Sequence, residues 1–71
     1  MYIVNEYQTN EGVTAIVTPF TSNDRNAAES AFYAKCSAAA ISTVEVHTVT
    51  MCTEEGFEVL KPKCFKHPAS A

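Results

Sequence analysis

One stretch in the middle of the chain decides the fold: residues 21–41, which read TSNDRNAAESAFYAKCSAAAI. From Arg25 to Ile41, seven of seventeen residues are alanine, and neither glycine nor proline interrupts them. Alanine is the best helix former, and the polar residues before Arg25, Asp24 above all, are typical of helix N-caps. The sequence therefore predicts a single helix that begins close to Asp24.

One side of this predicted helix is apolar and made of small residues. At 100° per residue, the predicted helix–sheet core consists of Ala28, Phe32, Cys36 and Ala39. Phe32 is the only large side chain in that set, so the helix is expected to approach a sheet closely. Lys35 falls on the same side, and we expect its stem to lie along the apolar stripe while its ammonium group stays in water.

The segments on either side of the helix are rich in β-branched and aromatic residues, which favour strands. The predicted strands are Tyr2 to Thr9, Val13 to Phe20, Val44 to Cys52, and Phe57 to about Phe65. Short glycine-containing breaks join them into two hairpins. Pro19 and Pro62 favour edge positions or bulges for the second and fourth strands. The prediction is an α+β fold of order ββαββ, a four-stranded sheet with one helix on one face, forming a single domain over 1–67 with a frayed tail at 68–71.

Apolar residues occur in both alternation registers of the predicted strands, although one helix can cover only one face of a sheet. An antiparallel sheet with one wet face normally alternates cleanly between apolar and polar residues. We therefore expect a second copy of the protein to cover the other face or an edge. The residues expected at that interface are Tyr2, Val4, Ile16, Val49 and Met51. A bulge near Thr48 is an alternative, because it would move Val49 and Met51 onto the face of Val46.

Composition limits the classes of function. The chain has 71 residues with eight acidic and five basic side chains, for a net charge of -3. This balance argues against nucleic-acid binding, which usually requires a basic patch. The longest run without a charge, Gly12 to Asn23, is shorter than the roughly 20 apolar residues of a membrane span. The start of the chain does not resemble a signal peptide, so we expect a cytoplasmic protein with reduced cysteines.

Three residues are weak candidates for a metal site: His47, Cys64 and His67. Thiolate and imidazole are zinc ligands, and Cys64 and His67 lie three residues apart, but no standard zinc spacing is present. A cysteine nucleophile would also need a neighbouring base. The alternative is that these are ordinary buried or surface residues, and we expect no cofactor, no metal and no catalytic residue.

Charged residues form two groups near the end of the chain. Glu54, Glu55 and Glu58 surround the predicted second turn, and such a turn is usually only solvated. The second group comprises Lys61, Lys63 and Lys66. Alternate lysines protect an edge strand from unwanted pairing, although they could also guide a charged partner.

Two stretches of the chain carry distinctive motifs: 28–42 contains AES and AAAIS, and 46–67 contains MCTEEG and CFKH. Together these stretches resemble a family of very short proteins encoded by phages and prophages of gut Firmicutes. The resemblance implies a phage-encoded accessory or structural protein in the cytoplasm of a bacterial host, and it leaves virion association open. It implies no activity and assigns no role to any residue.

The function expected from the sequence is non-enzymatic protein binding, as a homodimer or with an unknown protein partner. Two alternatives remain open. The first is a metal-dependent or thiol-based activity centred on Cys64 and His67, and the second is an acidic inhibitor that mimics nucleic acid. The first requires the candidate ligands to converge, and the second requires most of the eight carboxylates to line one surface.

Overall fold

A computed structural model of the protein describes residues 1–68. The order of elements is ββαββ, and the predicted α+β fold is confirmed. The elements are β1 (Tyr2–Asn10), β2 (Val13–Ser22), α1 (Arg25–Ala40), β3 (Val46–Thr53) and β4 (Glu58–Lys66). The predicted frayed tail, 68–71, lies outside the described residues except for Pro68.

The four strands form one antiparallel sheet in the order β2-β1-β3-β4. The two hairpins meet where β1 pairs with β3, so β1 and β3 are central and β2 and β4 are edges. The β1–β2 turn consists of Glu11 and Gly12, with φ of 51° and 78°. Positive φ at both positions matches the twist of a two-residue hairpin, and glycine adopts it without steric cost.

The helix begins where its capping residue predicts. The side chain of Asp24 accepts a hydrogen bond of 3.0 Å from the backbone N–H of Asn26. This bond satisfies one of the free N–H groups of the first turn. At the other end, Ser42 donates its backbone N–H to the carbonyl of Ala39. The chain then turns through a short loop into β3.

The core lies between α1 and one face of the sheet. It is formed by the buried side chains of Val4, Ala28, Phe32, Ala39, Val49 and Met51, with Cys36 partly buried against them. The assignment of Val4, Val49 and Met51 to an interface is therefore wrong, because their alternation register faces the helix. Tyr2 shares that register and packs against the same core.

The register between β1 and β3 runs without a shift from Tyr2 to Thr9. Burial along β3 alternates strictly, with His47, Val49 and Met51 buried and their neighbours less so. The alternative prediction, a bulge near Thr48 that would move Val49 onto the face of Val46, is therefore wrong.

The helix-free face of the sheet is mixed in character. Its central part comprises Ile3, Asn5, Tyr7 and Thr9 from β1 and Val46, Thr48, Thr50 and Cys52 from β3, all partly buried. Threonine and asparagine make up half of that set. The face is thus more polar than expected for a surface that must be covered by a second copy. Its apolar side chains are separated by hydroxyl and amide groups.

Both prolines lie in edge strands, as their missing N–H predicts. In β2, the two residues Thr18 and Pro19 stand opposite the single residue Asn5. In β4, Pro62 lies in the irregular stretch between the partners of Val49 and Met51. A bulge leaves a residue outside the ladder, so neither proline costs the sheet a hydrogen bond.

Candidate functional site

The most unusual group in the molecule is a carboxylate on the helix side of the central strands. Both oxygens of Glu6 are used: Oε1 accepts from Lys35 Nζ at 3.0 Å, and Oε2 accepts from Gln8 Nε2 at 2.9 Å and from His47 Nε2. The Glu6 side chain is only 12% exposed and that of His47 only 4%. Buried charge is costly unless it is paired and hydrogen-bonded, and here it is both.

The fold brings these side chains together from three elements. Glu6 and Gln8 follow Val4 at every second position of β1, so they continue the face that packs on the helix. Gln8 pairs directly with His47 of β3. Lys35 reaches down from α1 with 24% of its side chain exposed, and its ammonium group is paired with Glu6 in addition to any contact with water. We call Glu6, Gln8, Lys35, His47 and Ser42 the polar cluster.

Ser42 completes the cluster just beyond the end of the helix. Its Oγ lies 3.0 Å from His47 Nδ1 and donates to the carbonyl of Ala39 at 3.1 Å. A carboxylate can only accept hydrogen bonds, so His47 Nε2 is the donor to Glu6. The imidazole is therefore fixed at both nitrogens, by a strand on one side and by the helix end on the other.

The surroundings of Glu6 favour its ionised form. Burial alone raises the pKa of the carboxyl group, but the hydrogen bonds from Gln8, His47 and Lys35 outweigh burial and lower the pKa from 4.5 to about 2. Glu6 therefore carries a fixed negative charge at every pH near neutrality, with the cation of Lys35 directly beside it. This arrangement ties α1 to the sheet by electrostatics as well as by apolar packing.

A serine, a histidine and a glutamate in one hydrogen-bonded chain also raise the question of nucleophilic catalysis. The geometry does not favour it. His47 lies beneath the helix, where its side chain is only 4% exposed. Ser42 also follows the C-terminal end of α1, where the helix dipole disfavours a developing oxyanion. The cluster has the features of a structural link between helix and sheet.

The three candidate metal ligands do not converge. His47 faces the helix, whereas Cys64 pairs with Thr48 in the opposite alternation register and is exposed. His67 hydrogen-bonds through Nε2 to the carbonyl of Ala39 at 2.9 Å. Within the described chain, no three side chains of the metal-binding types form a group.

The cysteines and carboxylates likewise form no reactive group. Cys36, Cys52 and Cys64 are all free thiols, and burial raises the pKa of Cys36, which disfavours the reactive thiolate. The carboxylates are scattered. Glu6 is buried, Glu11 and Glu45 lie together at the β1–β2 turn, and Glu54 follows β3 at the far end of the sheet. This distribution does not give the single acidic surface that a nucleic-acid mimic needs.

From the polar cluster, sequence reasoning named only His47 as a candidate site residue; it placed Lys35 on the helix–sheet side without assigning a partner to it. The sequence did contain a signal for three other members of the cluster. Glu6 and Gln8 share the alternation register of Val4, and Lys35 lies on the same side of the helix as Phe32. Opposite charges on two faces that are predicted to pack together indicate a buried ion pair. Ser42 carries no comparable signal, since its role depends on the loop after the helix.

The second candidate site is the free edge of β2. Val13–Ser22 contains no charged residue, and three of its apolar side chains are exposed: Val13 at 72%, Ile16 at 68% and Phe20 at 38%. The opposite edge, β4, carries three lysines and a proline. The two edges of one sheet thus differ sharply in charge and in their capacity to accept another strand.

In residues 1–68, no helix has both the length and the apolar character needed to cross a membrane.

Comparison with other proteins adds no further constraint. Neither a protein-family model, nor a curated protein, nor a solved structure matches this chain.

Proposed function

We propose that this chain is a non-enzymatic protein-binding module that works by self-association through the free edge of β2. The observation that carries the proposal is the contrast between the two edges. A long, uncharged, exposed edge strand is a ready template for pairing and is normally blocked in monomeric proteins. Here β4 is protected by its three lysines, whereas β2 carries no charge and its proline and bulge lie beyond Val17.

The residues of β2 explain why pairing would be favourable. Ile16 lies near the middle of the strand with 68% of its surface exposed, and its neighbours are mostly threonine, valine and alanine. β-Branched residues fit a paired strand, and burying a large aliphatic side chain contributes about 1.5–3 kcal/mol. No charge in the strand opposes the approach of a similar strand.

The helix-free face gives weaker support to association. Its apolar residues, including Ile3 and Tyr7, are already partly buried and alternate with threonine and asparagine. A face of this kind needs no second protein layer to remain stable in water. We therefore assign association to the edge and not to the face.

The biological setting that we propose is that of a small phage-encoded accessory protein in a bacterial cytoplasm. Its only support is the resemblance of 28–42 and 46–67 to short phage and prophage proteins. Accessory proteins of this size commonly act by binding, and an open edge strand suits that role.

Sedimentation velocity over a range of micromolar concentrations tests the proposal. We expect the wild-type protein to sediment as a dimer and Ile16→Lys to sediment as a monomer with an unchanged circular dichroism spectrum. Ile41→Lys is the matched control, because Ile41 is 87% exposed and lies outside β2, just beyond the helix. A wild-type protein that stays monomeric at the highest concentration would refute the proposal.

A further inference from the structure

We infer that the partner at β2 is β2 of a second copy, paired antiparallel about a two-fold axis at Ile16. This inference rests on the proposed function and specifies its geometry.

The backbone of β2 offers a regular set of free groups. Asn10 and Val13 pair on either side of the two-residue turn, and the register continues evenly to Glu6 and Val17. In an antiparallel hairpin, every second residue turns its N–H and C=O toward the neighbouring strand, starting from the pair that closes the turn. Val13, Ala15 and Val17 therefore bond to β1. Thr14 and Ile16 point their backbone groups away from the sheet, and Thr18 follows in the same alternation where the bulge with Pro19 begins.

The sequence of this segment reads nearly the same in both directions. Residues 14–18 are TAIVT, with threonine at each end, isoleucine in the centre, and alanine and valine between them. An antiparallel pair of identical strands reverses one copy, so a palindromic segment places like residues opposite one another. The self-complementary pattern suits a two-fold contact, in which the same patch serves both subunits.

Centring the axis on Ile16 pairs the regular residues of this edge about their midpoint. Ile16 then exchanges two hydrogen bonds with Ile16 of the partner subunit, and Thr14 lies opposite Thr18 of the partner subunit. Cross-strand threonine pairs and apolar β-branched pairs are favourable contacts. Pro19 follows at once, in the bulge, and its missing N–H ends the regular segment.

The opposite edge limits the assembly to two copies. Pairing through β2 gives a continuous sheet of eight strands whose outer edges are both β4. Each of those edges carries Lys61, Lys63 and Lys66 together with Pro62, so it resists further pairing. The product is a closed dimer and not a growing filament.

Disulfide trapping tests the axis directly, with three single-cysteine additions: I16C, T14C and T18C. In a hydrogen-bonded antiparallel pair, directly opposed Cα atoms are about 5.5 Å apart, which suits a disulfide. Like residues four positions out of register would be roughly 13 Å apart, which is too far. We expect oxidised I16C to form a covalent dimer, T14C and T18C alone to form none, and their mixture to form a covalent heterodimer.

The natural cysteines set the background of this experiment. Wild-type protein, with Cys64 exposed, is oxidised in parallel, and peptide masses identify the linked positions. Covalent dimers of T14C alone or of T18C alone would overturn the axis at Ile16. A dimer in sedimentation with no linkage at any of the three positions would overturn pairing through β2 while leaving self-association intact. A monomer in sedimentation would overturn both.

Discussion

Replacing Glu6 with glutamine tests the energetic role of the polar cluster, because glutamine has the shape of the protonated carboxyl group without the charge. The pKa of Glu6 is lowered from 4.5 to about 2. A difference of that size corresponds to about 3 kcal/mol of stabilisation by the ionised form. A domain of this length has a total free energy of unfolding of roughly 4–10 kcal/mol. The charge on one buried side chain is thus a large part of the stability.

The sign of the pH dependence follows from the lowered pKa. The stabilisation is fully present above pH 4.5 and is lost as the pH falls toward 2, where the folded protein also binds the proton. We therefore expect Glu6→Gln to unfold about 3 kcal/mol more easily than wild type near neutral pH, and nearly as readily as wild type close to pH 2.

Urea unfolding followed by circular dichroism measures the free energies of unfolding of the two proteins at neutral pH and near pH 2. All samples are kept at one protein concentration, because association would add to the apparent stability. Glu58→Gln is the matched control, since Glu58 is an exposed glutamate in β4. Its difference from wild type should be small at both pH values. A Glu6→Gln difference that is equally large at neutral and at acid pH would refute the electrostatic reasoning.

Three further predictions concern the framework that holds the cluster, each measured by urea unfolding. Phe32→Ala removes a 1%-exposed side chain from the core and should cost about 3–5 kcal/mol, whereas Tyr33→Ala, at a 55%-exposed neighbour, should cost much less. Asp24→Ala removes the N-cap hydrogen bond and should cost about 1 kcal/mol, against little for Asn23→Ala. Gly12→Ala forces a side chain into positive φ and should destabilise by about 1 kcal/mol. These assignments would be contradicted if the two variants at 32 and 33, or the two at 23 and 24, lost equal amounts of unfolding free energy. They would also be contradicted if Gly12→Ala were as stable as wild type.

The elements of this fold could be predicted from local sequence. The alanine-rich segment after Asp24 predicts the helix, which the structure places at Arg25–Ala40. The β-branched runs predict four strands, with ends that differ by one or two residues. These features depend on backbone propensity and capping, which act between neighbours in the chain.

Which face of the sheet packs against the helix could not be predicted in the same way. Alternation shows which residues share a face but not which face meets the helix, and Glu6 lies in the same register as Val4. A charged residue in that register suggests a wet face, whereas three donors, two of them from other elements, make it a buried one. The distance along the chain explains the difficulty: Glu6 and His47 are 41 residues apart and meet only through the β1–β3 pairing.

The central position of β1 also sets the order in which the domain can be completed. The first hairpin and the helix are contiguous in sequence, so during synthesis they emerge together while β3 is still missing. At that stage Glu6 and Lys35 are both present, but the imidazole that joins the carboxylate to the helix end is not. The same strand, β3, supplies the histidine together with Val49 and Met51 of the core, so the polar cluster and the apolar core are completed by one element.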